Sequence, residues 1–457
     1  MPPTMLPTSA YEALGLPSDE VRVLTGPNPS APTATSAASP NVLQAQPAAA
    51  GPLGPNESNI TLYAELLLHI RTIALFASLH SLHTRETKAK LSADGSSITV
   101  THEGESATTR LPIKVKGSGD AALSLPAKPP SKELTLRLEI GENEGSNFFG
   151  AVQAEERKVN IVPWDGSSLN SKRNLEIRCR LCENPVVPCG KIREWRDLPS
   201  ENWAEMMDFW HCHKPDEHHL HDHTHEETMG KKGYAAGNRL TAVNGVGFID
   251  LVSFLLKEQD CIGIELSTKA DSSELESLCC KECRHILGTP DEPADGWRIW
   301  KWSIGIKDTV SPSTPSMSTF TVRKWISARF LYLIENTGLR KFHVHPDTPS
   351  SPSSSASTPM QGLLLWVFTP DLIFSSSRGR RDPTRAMKVF YQEKNWMSSK
   401  DGAQESSSVE EVAFPREFFE ELRRGLREGG SLLPVGARWF QGWKVGLLER
   451  FDVGEGA

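Results

Sequence analysis

The stretch Cys179-Arg180-Leu181-Cys182 is a Cys-x-x-Cys motif, and a second one, Cys280-Lys281-Glu282-Cys283, follows far downstream. Two residues between thiols let both cysteines bind one metal ion from a tight turn, and four thiolates complete a closed tetrahedral zinc site. The 98 positions from Cys182 to Cys280 exceed the spacing of a zinc ribbon, so the intervening chain must fold between the two halves of the site. The motifs predict a structural zinc with Cys179, Cys182, Cys280 and Cys283 as ligands.

The four thiols have alternative interpretations. They could be ordinary buried cysteines, or redox motifs, although no thioredoxin-like βαβ pattern surrounds either one. All eight cysteines lie between positions 179 and 283, and such clustering favours metal or thiol chemistry where disulfides are rare. Cys279 could compete as a ligand, whereas Cys189 and Cys261 are interpreted as ordinary thiols.

The composition limits the class of protein. The chain has 457 residues and a net charge of −7, which suggests two or three domains and argues against a nucleic-acid-coating function, so no direct nucleic-acid contact is expected. No run of about 18 apolar residues predicts a membrane helix. The N-terminus lacks the basic and apolar regions of a secretory signal, so we expect a cytosolic or nuclear protein.

The pattern along the chain predicts an α+β, β-rich fold of two domains, the second with a four-cysteine zinc site and a few helices. Segments rich in Pro, Ser and Ala cannot bury enough apolar surface to offset the entropy of ordering. The predicted organisation is a disordered tail over 1–60, a β-rich domain over 61–165, and a zinc-containing domain over 175–457 with disordered insertions near 214–232, 346–359 and 398–408.

Strand signals dominate the first domain. The run 62–73 could be a helix or a strand, and its neighbours favour a strand. Strict alternation from Leu134 to Ile140 predicts one buried face, and the segments 98–100 and 111–115 flank a turn-prone Glu-Gly-Glu sequence that predicts a hairpin.

The second domain mixes strands and helices. Trp300, Trp302, Ile304 and Ile306 alternate with Lys301, Ser303 and Gly305, which predicts a half-buried strand. The apolar runs 330–334 and 363–368 are interpreted as buried strands. A helix is predicted over 415–427, ended by Gly429-Gly430. Its apolar face comprises Phe418, Phe419, Leu422 and Leu426.

A second helix is predicted over 200–210, with Ser200 as its N-cap. Trp203, Met206, Met207 and Trp210 fall on one stripe of this helix. The stripe is typical of core packing, and its alternative role is an aromatic surface that binds a partner through Trp203 and Trp210.

The sequence His211-Cys212-His213 follows that helix directly. A histidine beside a cysteine can lower the thiol pKa, so Cys212 is a candidate nucleophile with His213 as its activating neighbour. The same residues could bind a metal, or the histidines could simply suit a helix C-terminus. The tract His218, His219, His221, His223 and His225 is interpreted as a solvated loop, with metal binding as the alternative.

Several segments together carry a family resemblance, and the stretch Leu198-Pro199-Ser200-Glu201-Asn202-Trp203 followed by a Cys-His pair is the most specific. The other segments are both Cys-x-x-Cys motifs, Trp210-His211-Cys212-His213, Leu365-Trp366-Val367-Phe368, Lys388-Val389-Phe390-Tyr391 and the stretch 433–443.

Over residues 60 to 451, the chain resembles the HECT-like ubiquitin-conjugating-enzyme-binding family of ubiquitin ligases. The resemblance implies binding of a ubiquitin-conjugating enzyme and of ubiquitin, a nuclear and cytosolic location, and a link to the mRNA 3′-end processing endonuclease. The expected function is a ubiquitin ligase or ligase cofactor that promotes ubiquitin transfer to substrates. The alternative is a non-catalytic protein that stabilises or inhibits the endonuclease.

The positions of the cysteines restrict how ubiquitin could be transferred. A HECT ligase accepts ubiquitin on a cysteine near its C-terminus, but no cysteine follows Cys283. A covalent relay would use an upstream thiol, for which Cys212 is the best placed. The long separation of the two Cys-x-x-Cys motifs does not fit the compact cross-brace of a RING domain either.

Overall fold

The computed structural model describes most of the chain after residue 58. The described residues are 59–67, 72–115, 122–123, 130–139, 162–172, 174–198, 240–267, 276–309, 317–347, 360–379, 382–396 and 408–455. All of them belong to the compact unit Ser58–Ala457. The predicted tail and insertions fall almost entirely outside the described residues.

The described residues form many strands and three α-helices, which confirms the β-rich class. The strands are β1 (Thr61–Leu67), β2 (Thr72–Ser78), β3 (Lys88–Leu91), β4 (Ser97–His102), β5 (Glu105–Arg110), β6 (Ala122–Leu123), β7 (Glu133–Glu139), β8 (Leu175–Cys179), β9 (Pro185–Val187), β10 (Glu194–Asp197), β11 (Val246–Ile249), β12 (Ser253–Leu256), β13 (Ile264–Ser267), β14 (Ser277–Cys280), β15 (Ile286–Asp291), β16 (Gly296–Trp300), β17 (Ile304–Asp308), β18 (Lys341–Pro346), β19 (Met360–Ser376), β20 (Thr384–Trp396), β21 (Glu410–Phe414), β22 (Trp439–Phe440) and β23 (Trp443–Glu449). The helices are α1 (Gly166–Asn170), α2 (Val322–Thr337) and α3 (Arg416–Ser431).

The largest sheet joins strands from both ends of the chain. Its order is β22-β23-β20-β19-β1-β2-β7, and β18 and β21 extend it beside β19. Strand β1 is antiparallel to β19, with Tyr63 opposite Ser376, so residues more than 300 positions apart are paired. Strands from both predicted domains therefore share this sheet. The boundary between domains near residue 165 stays a prediction.

Three smaller sheets complete the fold. Their orders are β10-β11-β12-β16-β15-β14-β13, β17-β8-β9 and β5-β4-β3-β6. One core cluster joins the sheets that carry the cysteines to α2 and α3, through fully buried side chains such as Phe254, Trp325 and Phe419. A second core cluster packs β1, β2 and β7 against the four-stranded sheet, with Leu62, Ile98 and others buried.

The helix predicted over 415–427 is confirmed as α3, and all four residues of its predicted apolar face are buried. Its predicted end is wrong. The helix continues through Gly429 and Gly430 to Ser431, because their lack of a side chain lets α3 lie directly on β23. A Cβ atom on Gly429 would lie 2.1 Å from the backbone oxygen of Leu447.

The strand predicted over 330–334 is also wrong, because these residues lie within α2. A short apolar run has no distinctive period, and the helix is revealed only by the longer pattern that includes Trp325, Ile326 and Phe330. Gly338 ends the helix in the left-handed conformation that glycine adopts without strain.

The other predicted strand segments lie in or next to strands. The run 363–368 lies in β19. The run 62–73 includes most of β1 and the start of β2, which are two antiparallel strands and not one long strand. The predicted hairpin exists, but the partner of β4 is β5, and the segment 111–115 follows it. Within the described residues, no helix is both long and apolar enough to cross a membrane.

We expect Gly429→Ala to destabilise the protein by about 1–3 kcal/mol, because the added methyl group must push α3 off the backbone of β23. Urea unfolding followed by circular dichroism measures the effect. Gly454→Ala is the matched control, since a Cβ atom there meets no atom within 4 Å. Equal midpoints for the two variants would contradict the close approach.

Candidate metal centre

The first Cys-x-x-Cys motif forms a tight turn at the end of β8. The backbone N–H of Cys179 donates to the oxygen of Asn184 at 2.9 Å, and the N–H of Glu183 donates to the oxygen of Cys179 at 3.0 Å. Glu183 has a φ of 57°, in the left-handed region. These two bonds fold the chain back so that Cys182 faces Cys179.

The second motif repeats this geometry at the end of β14. The N–H of Cys280 donates to the oxygen of His285 at 2.9 Å, and the N–H of Arg284 donates to the oxygen of Cys280 at 2.9 Å. Arg284 has a φ of 62°, so it corresponds to Glu183 in the first turn. The two motifs therefore form equivalent knuckles with the same backbone hydrogen bonds.

The two knuckles bring their four sulfur atoms together. The Sγ of Cys179 lies 3.6 Å from that of Cys283, and the Sγ of Cys182 lies 3.6 Å from that of Cys280. All four sulfur atoms lie within 4.8 Å of one another. Tetrahedral metal–sulfur bonds of about 2.3 Å place neighbouring sulfurs about 3.8 Å apart, so the cluster can hold a metal ion. All four thiols are free of disulfide bonds.

The electrostatic surroundings suit a cation bound by thiolates. Cys179 and Cys280 are fully buried, and burial is the main reason that the pKa of the Cys179 thiol rises to about 12. A metal ion would supply the positive charge that this buried thiolate needs. Basic residues lie next to the cysteines in the chain, which suits the net negative charge of four thiolates around a divalent ion. They are Arg178, Arg180, Lys281 and Arg284.

The centre lies where two sheets meet. Strand β8 belongs to the three-stranded sheet, and β14 belongs to the seven-stranded sheet. Between them, the N–H of Gly263 donates to the oxygen of Val186 at 3.4 Å, and the N–H of Lys281 donates to the oxygen of Gly263 at 3.0 Å. A Cβ atom on Gly263 would lie 2.1 Å from the oxygen of Pro185. Glycine therefore permits the close approach that aligns the two knuckles.

A groove of about 810 Å³ borders the first knuckle. Arg180 and Leu181 line one side, and Leu181 is 68% exposed. Helix α3 lines the other side with residues of both charges, including Glu421 and Arg424. Any ion held by the cysteines would fix the position of Leu181 relative to this groove.

The other described cysteines lie outside the cluster of four sulfurs. Cys261 and Cys279 are buried, and burial raises the pKa of the Cys261 thiol to about 12. Cys189 is exposed, and its thiol donates to Oδ1 of Asn174 at 3.7 Å. The cluster of four sulfurs does not include Cys279, although this residue directly precedes the second knuckle.

The remaining candidate site residues lie outside the described residues. These are Trp203 and Trp210, predicted to bind a partner, and Cys212 and His213, predicted to form a reactive pair. Their roles stay predictions. Leu198, the first residue of the most specific motif, is described and lines a small cavity of about 230 Å³.

A buried lysine, Lys301, also lines that cavity, and it is only 2% exposed. The strand predicted from Trp300 to Ile306 is interrupted here, because residues Lys301–Ser303 form a 3-10 turn between β16 and β17. The Nζ of Lys301 donates to the oxygen of Trp164 at 3.5 Å and lies 5.1 Å from the ring centre of Phe254. The position of Lys301 between Trp300 and Trp302 was the feature of the sequence that could have indicated its burial.

Three carboxylates line the same cavity. In the part of the chain that the structure describes, none of them forms an ion pair with Lys301. They are Asp165, Asp197 and Asp250. Burial lowers the pKa of Lys301 to about 7, and the three carboxylates only partly offset that effect. A buried amine with a lowered pKa therefore lines the same polar cavity as Leu198.

We expect the stability of the wild-type protein to depend on the protonation of Lys301. Between pH of about 7 and 10.5 the unfolded state binds a proton that the folded state does not. The free energy of unfolding should therefore rise with pH, by up to about 1.4 kcal/mol per unit from this residue. Lys301→Met should be most stabilising below pH 7, and its advantage should shrink as the pH rises.

Urea unfolding of both proteins from pH 6 to about 9.5 measures this difference. Lys172→Met, which removes an exposed lysine, is the matched control and should run parallel to the wild type. If the free energies of unfolding of Lys301→Met and the wild type also changed in parallel with pH, Lys301 would stay charged in the folded protein.

The chain is similar to one described family and to proteins of two yeasts. Residues 65–445 match the family described as HECT-like ubiquitin-conjugating enzyme (E2)-binding. An uncharacterized protein of Schizosaccharomyces pombe, C1734.10c, is 26% identical over 295 residues, which cover 64% of this chain and 78% of that protein. An uncharacterized protein of Saccharomyces cerevisiae, YJR141W, is 22% identical over 339 residues, which cover 73% and 84%. No solved structure matches significantly.

The family match confirms the resemblance carried by the sequence motifs, and it implies a ubiquitin-conjugating enzyme as partner and a function related to ubiquitin ligases. It begins in β1, includes both knuckles and ends in β23. Because the match covers most of the chain, this protein belongs to the HECT-like ubiquitin-conjugating enzyme (E2)-binding family.

Proposed function

We propose that this protein binds a ubiquitin-conjugating enzyme charged with ubiquitin and promotes transfer of the ubiquitin to substrates, as a ligase or ligase cofactor. The observation that carries the proposal is the family match over residues 65–445. The proposal includes a cytoplasmic and nuclear location, as the family resemblance implies. Trp203 and Trp210 are the proposed partner-binding residues.

The proposed cofactor is one structural zinc ion, held by Cys179, Cys182, Cys280 and Cys283. A soft thiolate set with sulfur separations of 3.6 Å suits zinc, and four protein ligands leave no open position for a substrate. Zinc would therefore act by holding the knuckles and the two sheets in place. The partner would contact the residues of this chain and not the zinc ion.

The thiols restrict how ubiquitin could be transferred. In a covalent relay, a thiolate of this chain attacks the thioester carbonyl, and the cysteine of the conjugating enzyme leaves as a thiolate. Within the described residues, only Cys189 is both exposed and outside the metal centre. Cys212, with His213 beside it, is the other candidate and the one that we propose for a relay. Without a relay, the protein would act by orienting the charged enzyme towards an acceptor amine.

A single-turnover discharge assay tests the function. A conjugating enzyme charged with ubiquitin is mixed with the wild type, with Cys212→Ser, or with Cys189→Ser as the matched control. We expect faster discharge with the wild type and with the control. A reductant-sensitive ubiquitin adduct that is absent from Cys212→Ser would indicate a relay through Cys212, whereas full activity of that variant would exclude it.

No acceleration across a panel of conjugating enzymes would contradict the proposed function. That result would favour the alternative, a non-catalytic protein that stabilises or inhibits the mRNA 3′-end processing endonuclease. Stability of the endonuclease with and without this chain would then be the measurement to make.

For the metal centre, we expect one zinc per wild-type chain and a large loss of affinity in Cys182→Ser. Even a change in the residues that support metal ligands costs about 10–100-fold in affinity, so loss of a ligand should cost more. The melting temperature should fall because zinc binding contributes to folding. Zinc analysis after dialysis against a chelator, with Cys189→Ser as control, measures this. Unchanged zinc content and melting in Cys182→Ser would refute the centre.

A further inference from the structure

A second cluster of metal-ligating side chains lies among the first strands of the fold. It consists of His80, which follows β2, His102, which ends β4, and Glu103 in the turn before β5. One nitrogen of each histidine and one carboxylate oxygen all lie within 4.8 Å of one another. The sequence does not predict this cluster, because β2 and β4 belong to different sheets.

The distances within the cluster approach those around a bound ion. The Nε2 of His80 lies 2.8 Å from Oε2 of Glu103, and the Nε2 of His102 lies 4.0 Å from the same oxygen. Bonds of about 2.0–2.1 Å to a tetrahedral zinc place its ligand atoms about 3.4 Å apart. His102 is completely buried, whereas about a third of the His80 side chain and half of the Glu103 side chain are exposed. Two partly exposed ligands can therefore adjust around one fixed ligand.

The second ring nitrogen of the buried histidine also has a hydrogen-bond partner. Its Nδ1 lies 2.9 Å from the hydroxyl oxygen of Thr87, which is itself buried. That oxygen accepts one bond, from the N–H of Thr84 at 2.9 Å, and keeps a second lone pair. It can therefore accept a hydrogen bond from the N–H of Nδ1, in the tautomer that leaves the lone pair of Nε2 free to bind an ion.

Ser81 orients the carboxylate of the cluster. Its hydroxyl donates to Oε1 of Glu103 at 2.9 Å, and its oxygen lies 2.8 Å from Nε2 of His102. The hydroxyl has a single proton, so in this arrangement Nε2 of His102 donates to Ser81. Binding of an ion to Nε2 would require the imidazole proton to sit on Nδ1, where the N–H can donate to the oxygen of Thr87, and Ser81 would keep its bond to Glu103. No proton is lost overall.

The backbone also places Glu103 at the cluster. Glu103 and Gly104 have φ values of 47° and 81°, which is the geometry of a two-residue hairpin turn between β4 and β5. Glutamate is an unusual residue in the first of these positions, because its side chain makes the left-handed conformation less favourable. Its carboxylate points back to His80 and Ser81.

We propose that His80, His102 and Glu103 bind a divalent first-row transition-metal ion such as Zn²⁺, with solvent completing the coordination. Two imidazoles and one carboxylate favour this class of cation over Mg²⁺ or Ca²⁺, which prefer oxygen ligands. The ion would join the end of β2, in the nine-stranded sheet, to the β4–β5 hairpin of the four-stranded sheet. This site is independent of the four-cysteine centre and of the proposed function.

The test is a Zn²⁺ titration of the full chain by isothermal calorimetry, started from protein whose zinc content has been measured. The background is a variant in which the five histidines of the tract 218–225 are replaced by serine, because that tract could also bind metal. We expect one saturable site in this background. His80→Ala and Glu103→Gln should each weaken binding by at least about tenfold. Both side chains are partly exposed, so the fold should tolerate these changes.

Glu86→Gln is the matched control, since it removes an exposed carboxylate from the same segment without touching the cluster, and it should bind as the background does. Absence of a saturable site, or equal affinity in His80→Ala and the background, would overturn the proposal. Spectra with Co²⁺ give a second readout. Thiolate charge-transfer bands for the added ion would also overturn the proposal, because they would assign it to the cysteines.

Discussion

The convergence of four sulfur atoms from two knuckles 98 positions apart is the constraint on which the cysteine-bearing part of the fold depends. The knuckles end strands of two different sheets, and the sulfurs meet only if those sheets keep one relative position. Closing so long a loop costs entropy, which a metal ion bound by four thiolates can offset. Gly263 contributes by letting the backbones of the two sheets touch beside the centre.

A comparable long-range constraint operates in the largest sheet. Strand β1 lies between β2 and β19, so the start of the described chain completes a sheet most of whose other strands come from its second half. The carboxylate of Glu65 pairs with the ammonium of Lys388 where both side chains are largely buried, and the hydroxyl of Tyr63 donates to Glu65 at 2.9 Å. Removing one partner of such a buried pair would leave an uncompensated charge.

The chemically distinctive side chains share a position in the fold, since they lie at or next to strand ends. Cys179 and Cys280 end their strands, Lys301 directly follows β16, and His102 ends β4. A strand fixes the backbone on one side of each residue, while the following turn leaves its side chain free to meet others. This arrangement allows groups from different sheets to converge, as in the knuckles and in the histidine cluster.

The sequence by itself determined the local features whose physical cause lies within a few residues. The Cys-x-x-Cys spacing predicted both knuckles, the apolar stripe of α3 predicted its buried face, and the family resemblance rested on contiguous motifs. The tertiary structure decided what depends on distant neighbours. Lys301 is buried because aromatic rings from other elements surround it, and the run 330–334 is helical because the whole of α2 packs on the core. Local patterns contain no information about such contacts, since the free energy of burial comes from residues far away in the chain.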